Sequence, residues 1–154
     1  MQLTLAHIGA APGARRDVFD ALARQYLERC SALGSGAARF AAQSFRSETA
    51  FFEWLARREG RTPPTAVLLD RRGRQMSSED FAGWIGARRD QGAQHLVFAI
   101  GPASGWSEQA RSRAQLLLSL GPMTMAHALA RLVLAEQLYR AFAILAGHPY
   151  HAGH

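Results

Sequence analysis

The sequence contains no lysine and only one cysteine, Cys30. A single thiol cannot form an internal disulfide, which fits the reducing environment of the cytoplasm. No apolar run reaches the roughly 18 residues that a membrane-spanning helix needs. The first residues, MQLTLAHIGA, lack a basic region and predict a β-strand rather than a signal peptide. These absences exclude disulfide-rich scaffolds and helical membrane proteins, and we expect a cytoplasmic protein.

The composition is that of a folded, basic protein. Of the 154 residues, 48% are hydrophobic, which excludes disorder and fits one domain over residues 1–154. All 18 cationic side chains are arginine, and the net charge is +6. This charge favours a polyanionic partner such as nucleic acid, whose phosphates a guanidinium can contact in its plane. A solvated basic surface explains the charge equally well.

Short apolar segments alternate with segments of helical periodicity. Strand character lies at residues 2–9, 38–45, 65–70, 95–100 and 115–120. Helical spacing or capping residues mark residues 17–33, 47–59, 77–87 and 107–114, and a long helix follows Met125. This alternation predicts an α/β fold with a mainly parallel sheet that helices cover on both faces.

Three segments follow predicted strands, at residues 69–73, 101–105 and 120–125. Ligands of open α/β sheets bind beyond the carboxyl ends of the strands, so we expect these segments to form one pocket. Backbone donors, apolar walls and few charges would suit a nucleoside-type ligand. The sequence has neither the GxxxxGK[ST] pattern nor the GxGxxG fingerprint, and each glycine loop alone is more often a tight turn.

The long C-terminal helix is apolar on most of its circumference, as Leu134, Leu138 and Phe142 illustrate. We expect that a chain of this size cannot cover such a helix alone, so a partner subunit is implied. The histidine-rich end, His148 to His151, is expected to add titratable and stacking groups beside the 120–125 loop.

Three stretches resemble the ribosomal large-subunit pseudouridine methyltransferases of the SPOUT (α/β-knot) superfamily: LLDRRGRQMSSEDFA, FAIGPASG and LSLGPMTMAHALARLVLAEQLYRAFAILAGHPYH. The resemblance extends over nearly the whole chain, and residues 123–142 with the terminal Pro-Tyr-His are its most specific part. It implies a homodimeric enzyme that binds S-adenosylmethionine in a C-terminal trefoil knot. It also implies methyl transfer to N3 of a pseudouridine in 23S rRNA, on the assembled ribosome.

The resemblance assigns the cofactor-binding positions. They are Leu69, Gly101, Pro102, Gly105, Leu120, Gly121, Pro122, Met123, Thr124 and Met125. The chain departs from the family at Pro102, where members have glycine, and at Ala126, where members have proline before the histidine. Because proline has no N–H, position 102 cannot donate a backbone hydrogen bond, although its carbonyl can still accept one.

Methyl transfer to an imide nitrogen requires that its proton leaves, so a positioned base or a nearby cation would assist the reaction. Arg131 lies four residues after His127, on the same side of the long helix, and could hold a phosphate or favour the substrate anion. With the terminal histidines as further base candidates, we expect the catalytic residues to be His127, Arg131, Tyr150 and His151.

The RNA-binding candidates are Arg71, Arg72, Arg140 and His148. Arg140 could instead form an intrahelical ion pair with Glu136. Tyr150 could stack on an extruded base, or it could fill the dimer interface. His148, His151 and His154 are spaced in a way that could suggest a zinc site. No cysteine or carboxylate lies nearby in the sequence to complete the tetrahedral ligand set, so no metal is predicted.

Two other functions remain open. One is a non-catalytic RNA-binding or ribosome-associated module that kept the fold and lost cofactor affinity through Pro102. The other, a nucleotide-binding or hydrolytic α/β protein, is disfavoured because no Ser/His/Asp or Cys/His nucleophile arrangement is recognisable.

Overall fold

Strands and helices alternate along the chain, as the hydrophobic pattern predicts. The computed structural model describes residues 1–9, 18–33, 39–58, 60 and 62–152. The elements are β1 (Gln2–Ile8), α1 (Val18–Ala32), β2 (Arg39–Phe45), α2 (Glu48–Ala56), β3 (Thr65–Gln75), α3 (Ser78–Asp90), β4 (His95–Ile100), α4 (Glu108–Ser112), β5 (Leu116–Ser119) and α5 (His127–Leu145). The strands form one five-stranded sheet in the order β2-β1-β4-β3-β5, and every pairing is parallel. The predicted α/β fold is confirmed.

Alternation within the strands divides the core between the two faces of the sheet. On one face, Leu3 and Phe98 belong to a cluster with α1, α3 and α5. On the other face, Ile8 and Val97 belong to a cluster with α2 and α4. Every residue of β4 is buried, because β4 lies between β1 and β3 and is covered from both sides. The prediction that helices cover both faces is confirmed. In the described part of the chain, no helix has the length and apolarity that crossing a membrane requires.

Serine side chains cap three of the helices. The Oγ atoms of Ser47, Ser77 and Ser107 accept hydrogen bonds of 3.0 to 3.1 Å from backbone N–H groups three residues further on. Each bond satisfies a donor that the first helical turn otherwise leaves unpaired. Helices α2 and α4 are shorter than predicted, whereas α3 continues past its predicted end to Asp90.

Strand β3 is longer than predicted. The sequence predicts a strand that ends at Asp70, but β3 continues to Gln75. Leu69 and Arg74 both pair with Leu118 of β5, so the residues between them leave the ladder as a bulge. The prediction of a terminating turn is therefore wrong: the turn-like residues interrupt the strand without ending it.

The β3 bulge, residues 70–73, lies directly against the backbone of β5. A Cβ atom at Gly73 would stand 2.6 Å from the carbonyl carbon and oxygen of Leu117. Only glycine fits so close an approach of two backbones. Glycine is therefore required at position 73, because any side chain there would collide with the backbone of β5. This strand is distant in the sequence, so the requirement is not visible from the residues around Gly73.

Helix α5 is covered largely by its own chain. Leu134 and Leu138 are fully buried in the cluster that α5 forms with α1 and α3. The premise that the chain cannot cover this helix is wrong for its inner face. Large apolar side chains remain exposed on α1 and on α5 itself. They are Val18, Phe19 and Leu22 of α1, exposed to 69%, 40% and 38%, and Leu129 of α5, exposed to 39%.

Candidate functional site

A cavity of about 510 Å³ lies beyond the carboxyl ends of β3, β4 and β5, next to the first turn of α5. This volume is typical of small-molecule sites. The three segments that the sequence predicts at strand ends meet here. The cavity, called the strand-end cavity below, is lined by Leu69, Asp70, Arg71, Arg72, Ile100, Gly101, Pro102, Ala103, Ser104, Gly105, Trp106, Arg111, Leu118, Leu120, Gly121, Met123, Thr124, Met125, His127 and Ala130.

Trp106 forms a rigid wall of the cavity. Its side chain is almost fully buried, and its indole N–H donates a hydrogen bond of 3.0 Å to the carbonyl of Leu69. The ring lies against Gly101, where a Cβ atom would stand only 2.8 Å from the indole. Trp106 thus connects Leu69, the last residue of β3 before the bulge, with Gly101 in the loop after β4.

Asp70, at the start of the β3 bulge, is a nearly buried carboxylate with 5% of its side chain exposed. It accepts a hydrogen bond of 2.6 Å from Arg111 Nε and one of 2.9 Å from the backbone N–H of Arg72. Burial raises the pKa of Asp70, but these hydrogen bonds and the two arginine charges outweigh burial and hold that pKa below its usual value. Both arginines also pair with Glu108. The edge of the cavity therefore carries a network of two carboxylates and two guanidinium groups.

Ser119 joins the β3 bulge to the loop after β5. Its buried hydroxyl lies 3.2 Å from the carbonyl oxygen of Arg71 and accepts a hydrogen bond of 3.1 Å from the N–H of Gly121. After this loop, α5 begins at His127, and its N-cap residue Ala126 makes no side-chain hydrogen bond. The first N–H groups of α5 thus remain available to a ligand or to water at the cavity.

The structure brings most of the residues with a predicted cofactor role into this cavity. Those that line it are Leu69, Gly101, Pro102, Gly105, Leu120, Gly121, Met123, Thr124 and Met125, whereas Pro122 does not. The carbonyl of Pro102 accepts a hydrogen bond of 2.8 Å from the N–H of Gly105. The turn after β4 therefore closes even though position 102 has no donor of its own.

His127 and Arg131 have different neighbours. His127 lines the strand-end cavity, but Arg131 does not. Arg131 forms a 2.6 Å ion pair with Asp20 of α1, lies 3.2 Å from the ring of His7 in β1, and is 12% exposed. The i, i+4 spacing places both residues on one side of α5. His127, in the first turn, faces the cavity, whereas Arg131, one turn later, contacts α1. Within this chain Arg131 joins α5 to α1 and β1.

The four RNA-binding candidates fall into two groups. Arg71 and Arg72 are exposed at the edge of the cavity. Arg140 instead forms the alternative ion pair with Glu136, at 2.6 Å, and only 15% of its side chain is exposed. A hydrogen bond to Glu136 raises the pKa of Arg140 against the opposing effect of burial. His148 is exposed but does not line the cavity.

The chain reverses direction at the end of α5. Gly147 adopts a left-handed conformation with φ of 65°, which favours glycine. The N–H of His148 donates a hydrogen bond of 2.8 Å to the carbonyl of Ala143, which closes the helix in the way that left-handed glycines commonly do. Residues 148–152, called the C-terminal tail below, therefore run back over the surface of α5.

The C-terminal tail does not reach the strand-end cavity of its own chain. The hydroxyl of Tyr150 donates a hydrogen bond of 3.2 Å to Glu136, and His151 Nε2 lies 2.7 Å from Glu79 of α3. No tail residue lines the cavity. The expectation that the tail lies beside the 120–125 loop is wrong within one chain, because the reversal at Gly147 directs the tail to α3 and the middle of α5.

In the ranges that the structure describes, no three His, Cys, Asp or Glu side chains come together in a way that could hold a metal ion. The ring of His148 accepts a hydrogen bond from the N–H of Tyr150, and His151 pairs with Glu79. His154, the third member of the histidine spacing, lies outside the described residues.

Comparison with known proteins agrees with this geometry. The family model described as "Predicted SPOUT methyltransferase" matches residues 1–151. A curated relative, "Ribosomal RNA large subunit methyltransferase H" of Koribacter versatilis, is 44% identical over 157 residues that cover 100% of both chains. The chain belongs to the SPOUT methyltransferase family. A SPOUT relative of the same name from Rhodospirillum centenum is 55% identical over 91 residues, 58% of this chain and 60% of the relative.

A solved SPOUT-type structure has the same fold. The SpoU methyltransferase AviRb from Streptomyces viridochromogenes, crystallised in complex with the cofactor AdoMet, superimposes with a TM-score of 0.50 at 18% identity. The match covers 95% of this chain and 58% of that protein. At this identity the likeness supports the SPOUT fold alone.

Sequence reasoning misses one charged pair at the site of this SPOUT methyltransferase. Asp70 follows a buried apolar strand directly, and a carboxylate at that position is a signal that could have marked it. Arg111 carries no local signal, because it meets Asp70 across 41 residues of sequence. Its place at the cavity depends on how α4 packs against β3.

Proposed function

We propose that this SPOUT methyltransferase transfers a methyl group from S-adenosylmethionine to N3 of a pseudouridine in 23S rRNA, on the assembled ribosome. The observation that carries the proposal is the strand-end cavity, where the three segments expected to bind the cofactor converge. The substrate class follows the name of the Koribacter versatilis relative, which matches this chain from end to end. The proposal treats residues 1–154 as one catalytic domain that works in the cytoplasm, where ribosomes are.

The residues of the cavity fit S-adenosylmethionine. The ligand combines a sulfonium cation, an amino-acid carboxylate and a purine nucleoside. The carboxylate of Asp70 is paired with Arg111 and Arg72, and its place in the cavity is to hold these two side chains at the cavity edge. The uncapped N–H groups at the start of α5 can donate hydrogen bonds to an anionic or polar group of the ligand. Leu69 and Leu118 provide apolar surface for its nucleoside. Pro102 removes one backbone donor, so we expect a Pro102→Gly variant to bind the cofactor more tightly.

When bound, the cofactor supplies a methyl group on a sulfonium centre that an aligned nucleophile can displace. The part of the protein is to hold the pseudouridine in line and to accept the proton that leaves N3. His127 lines the cavity, and an imidazole is a suitable proton acceptor near neutral pH. Among the described residues that line the cavity, His127 is the one imidazole.

The exposed arginines in and directly after the β3 bulge can bind the phosphate backbone of RNA. Arg71, Arg72 and Arg74 are exposed on one short segment beside the cavity opening. The pairing of Arg72 with Glu108 at 2.9 Å involves two exposed side chains, so water or a phosphate can replace it at low cost. We infer that this segment contacts the RNA near the target nucleotide.

We infer that the active form is a homodimer. Val18, Phe19 and Leu22 of α1 are exposed apolar side chains, and Leu129 of α5 is a fourth. The ion pair between Asp20 and Arg131 brings the N-terminal parts of these two helices together, so the four side chains lie on neighbouring turns. Because the C-terminal tail does not reach its own cavity, a second copy that packs on this surface can supply Tyr150 and His151 to it.

We also propose the trefoil knot that the resemblance implies. The match of the SPOUT family model to residues 1–151 supports it.

Two measurements test the proposed function. Calorimetric titration with S-adenosylmethionine is expected to give saturable heat; no heat up to millimolar ligand would instead favour the non-catalytic RNA-binding module, because Pro102 lacks a donor. Ribosomes from a strain that lacks the gene are then incubated with enzyme and labelled cofactor. Mass spectrometry is expected to find one new methyl group, on a pseudouridine of 23S rRNA.

A paired variant tests the role of the C-terminal tail. Replacing Tyr150 and His151 together with alanine is expected to leave cofactor binding intact and to remove methylation. Equal loss of both activities would show that the tail is only structural. The single Tyr150→Phe variant keeps the ring packing and separates the hydroxyl from the rest of the side chain.

A further inference from the structure

The C-terminal tail is attached to the body of the protein at two adjacent residues. Tyr150 packs its ring edge-on against Tyr139, with 4.6 Å between the ring centroids, and the guanidinium of Arg140 lies 4.9 Å from its ring centre. Its hydroxyl donates to Glu136. Burial and hydrogen bonding to Tyr26 raise the pKa of Tyr150 to about 12. The tyrosine is thus an anchor that fixes where the tail lies.

His151 has a different environment on its two ring nitrogens. Nε2 lies 2.7 Å from Oε1 of Glu79, in the first turn of α3. Nδ1 is screened from solvent, and the described residues provide no hydrogen-bond partner for it. A carboxylate at this distance accepts a hydrogen bond from Nε2 and thereby fixes the orientation of the imidazole ring. In the described structure the tail contacts Glu79 of α3 through His151, and Glu136 and Arg140 of α5 through Tyr150.

We propose that Glu79 is a positioning residue for His151 in the methyl-transfer reaction. The inference rests on the proposed function, because it concerns the histidine that this function assigns to catalysis. Tyr150 sets the place of the tail, and Glu79 sets the orientation and the tautomer of the adjacent imidazole. A carboxylate that orients a histidine is a recurring arrangement in enzymes, because it fixes both the direction of the ring and the nitrogen that carries the proton.

Because the side chains of Glu79 and His151 are partly exposed, the positioning role of Glu79 can be tested without disturbing the fold. The side chain of Glu79 is 62% exposed and that of His151 is 33% exposed. A polar contact between two side chains at such a surface contributes little to stability, so its loss should leave the fold unchanged. A change in activity without a change in stability would therefore report on orientation.

The chain offers a matched control at the neighbouring position. Glu79 and Asp80 are both acidic residues in the first turn of α3, where each interacts favourably with the helix dipole. Asp80→Asn removes the same charge from the same turn and leaves the contact with His151 in place. Glu79→Ala removes the contact, and Glu79→Gln keeps an acceptor oxygen but no charge.

The experiment compares these three variants in the full-length protein. We expect Glu79→Ala to lower kcat for ribosome methylation about tenfold, with KM and affinity for S-adenosylmethionine within twofold of the parent. Glu79→Gln should recover much of this loss, and Asp80→Asn should behave as the parent. Activity of Glu79→Ala equal to that of Asp80→Asn, or higher than that of the parent, would overturn the inference.

A spectroscopic measurement keeps this test separate from the proposed function. In ¹⁵N spectra of the histidine side chains, we expect His151 to be the Nε2–H tautomer in the parent and a mixture of tautomers in Glu79→Ala. The same tautomer in both proteins would contradict the inference even if the enzyme is active. If the parent itself methylates no ribosome, the proposed function fails, and the spectra still decide whether Glu79 orients His151.

Discussion

Replacing Gly101 with alanine tests the wall of the strand-end cavity most directly. The added methyl group would stand 2.8 Å from Cε2 and Nε1 of Trp106 and 3.0 Å from its Cδ1. Gly101 lies outside the left-handed backbone region, so alanine brings no backbone strain there. The whole effect of the substitution must therefore come from the contact with the indole ring.

The magnitude follows from how little the indole can move. Ordinary carbon contacts begin near 3.5 Å, so the ring must shift by about 0.7 Å. Trp106 is 3% exposed and packs against Phe51 and Phe52, with centroid distances of 5.9 and 6.4 Å, so these rings resist the shift. Overpacking costs about 1–3 kcal/mol, and a lost buried hydrogen bond costs about 1–3 kcal/mol more. We expect a loss of about 2–6 kcal/mol in the free energy of unfolding.

Urea and thermal unfolding measure this loss, which should lower Tm by about 5–15 °C for a chain of this size. Gly83→Ala is the matched control: apart from its chain neighbours and the backbone of α3, no atom lies within 4 Å of its Cβ position, and the alanine should stabilise the helix by about 0.5–1 kcal/mol. In a Trp106→Leu background, Gly101→Ala should cost less than about 0.5 kcal/mol, because the smaller side chain leaves room. An equal cost of Gly101→Ala in both backgrounds would refute the reasoning.

Three further predictions concern other parts of the fold. Ser77→Ala removes the cap of α3 and should reduce the free energy of unfolding by about 1 kcal/mol in urea titrations; no change would mean that the 3.0 Å cap bond is not formed in solution. The pKa of Asp70 is lowered from 3.8 in the folded protein, so its stabilising effect is present above that pH and is lost as the pH falls through the lowered pKa. Acid unfolding of Asp70→Asn should therefore depend less on pH than that of the parent, and identical curves would contradict this. Burial raises the pKa of the Cys30 thiol to about 12, so a disulfide reagent at pH 8 should label it only as fast as the protein unfolds; rapid labelling of the folded protein would contradict its burial.

Local sequence signals are enough to predict the layered core. The residues HLVFAI predict β4 with the same limits that the structure has, because a fully buried parallel strand needs an unbroken apolar run. The serines before α2, α3 and α4 likewise mark helix starts by a mechanism that acts within four residues. The convergence of three strand ends follows from the parallel arrangement alone.

Features that depend on distant contacts could not be predicted in this way. Arg71-Arg72-Gly73 has the composition of a turn, and only the neighbouring β5 strand makes it a bulge. Helical spacing indicates which side of α5 Arg131 occupies, but not that Asp20 of α1 is its neighbour there. Glycine at position 147 could have indicated a helix end, but the destination of the C-terminal tail is decided by Glu79 and Glu136.

The central position of β4 has a consequence for synthesis of the chain. β4 is the only link between the β2-β1 pair and the β3-β5 pair in the described sheet, yet it is the fourth strand to be translated. When residues 65–75 have emerged, the edges of β1 and β3 still lack the strand that joins them. At about 5–20 residues per second, this interval lasts on the order of 1–5 s. Nascent chains that stall before residue 95 therefore expose two strand edges with unpaired backbone N–H and C=O groups, and they are the species that chaperones would have to protect.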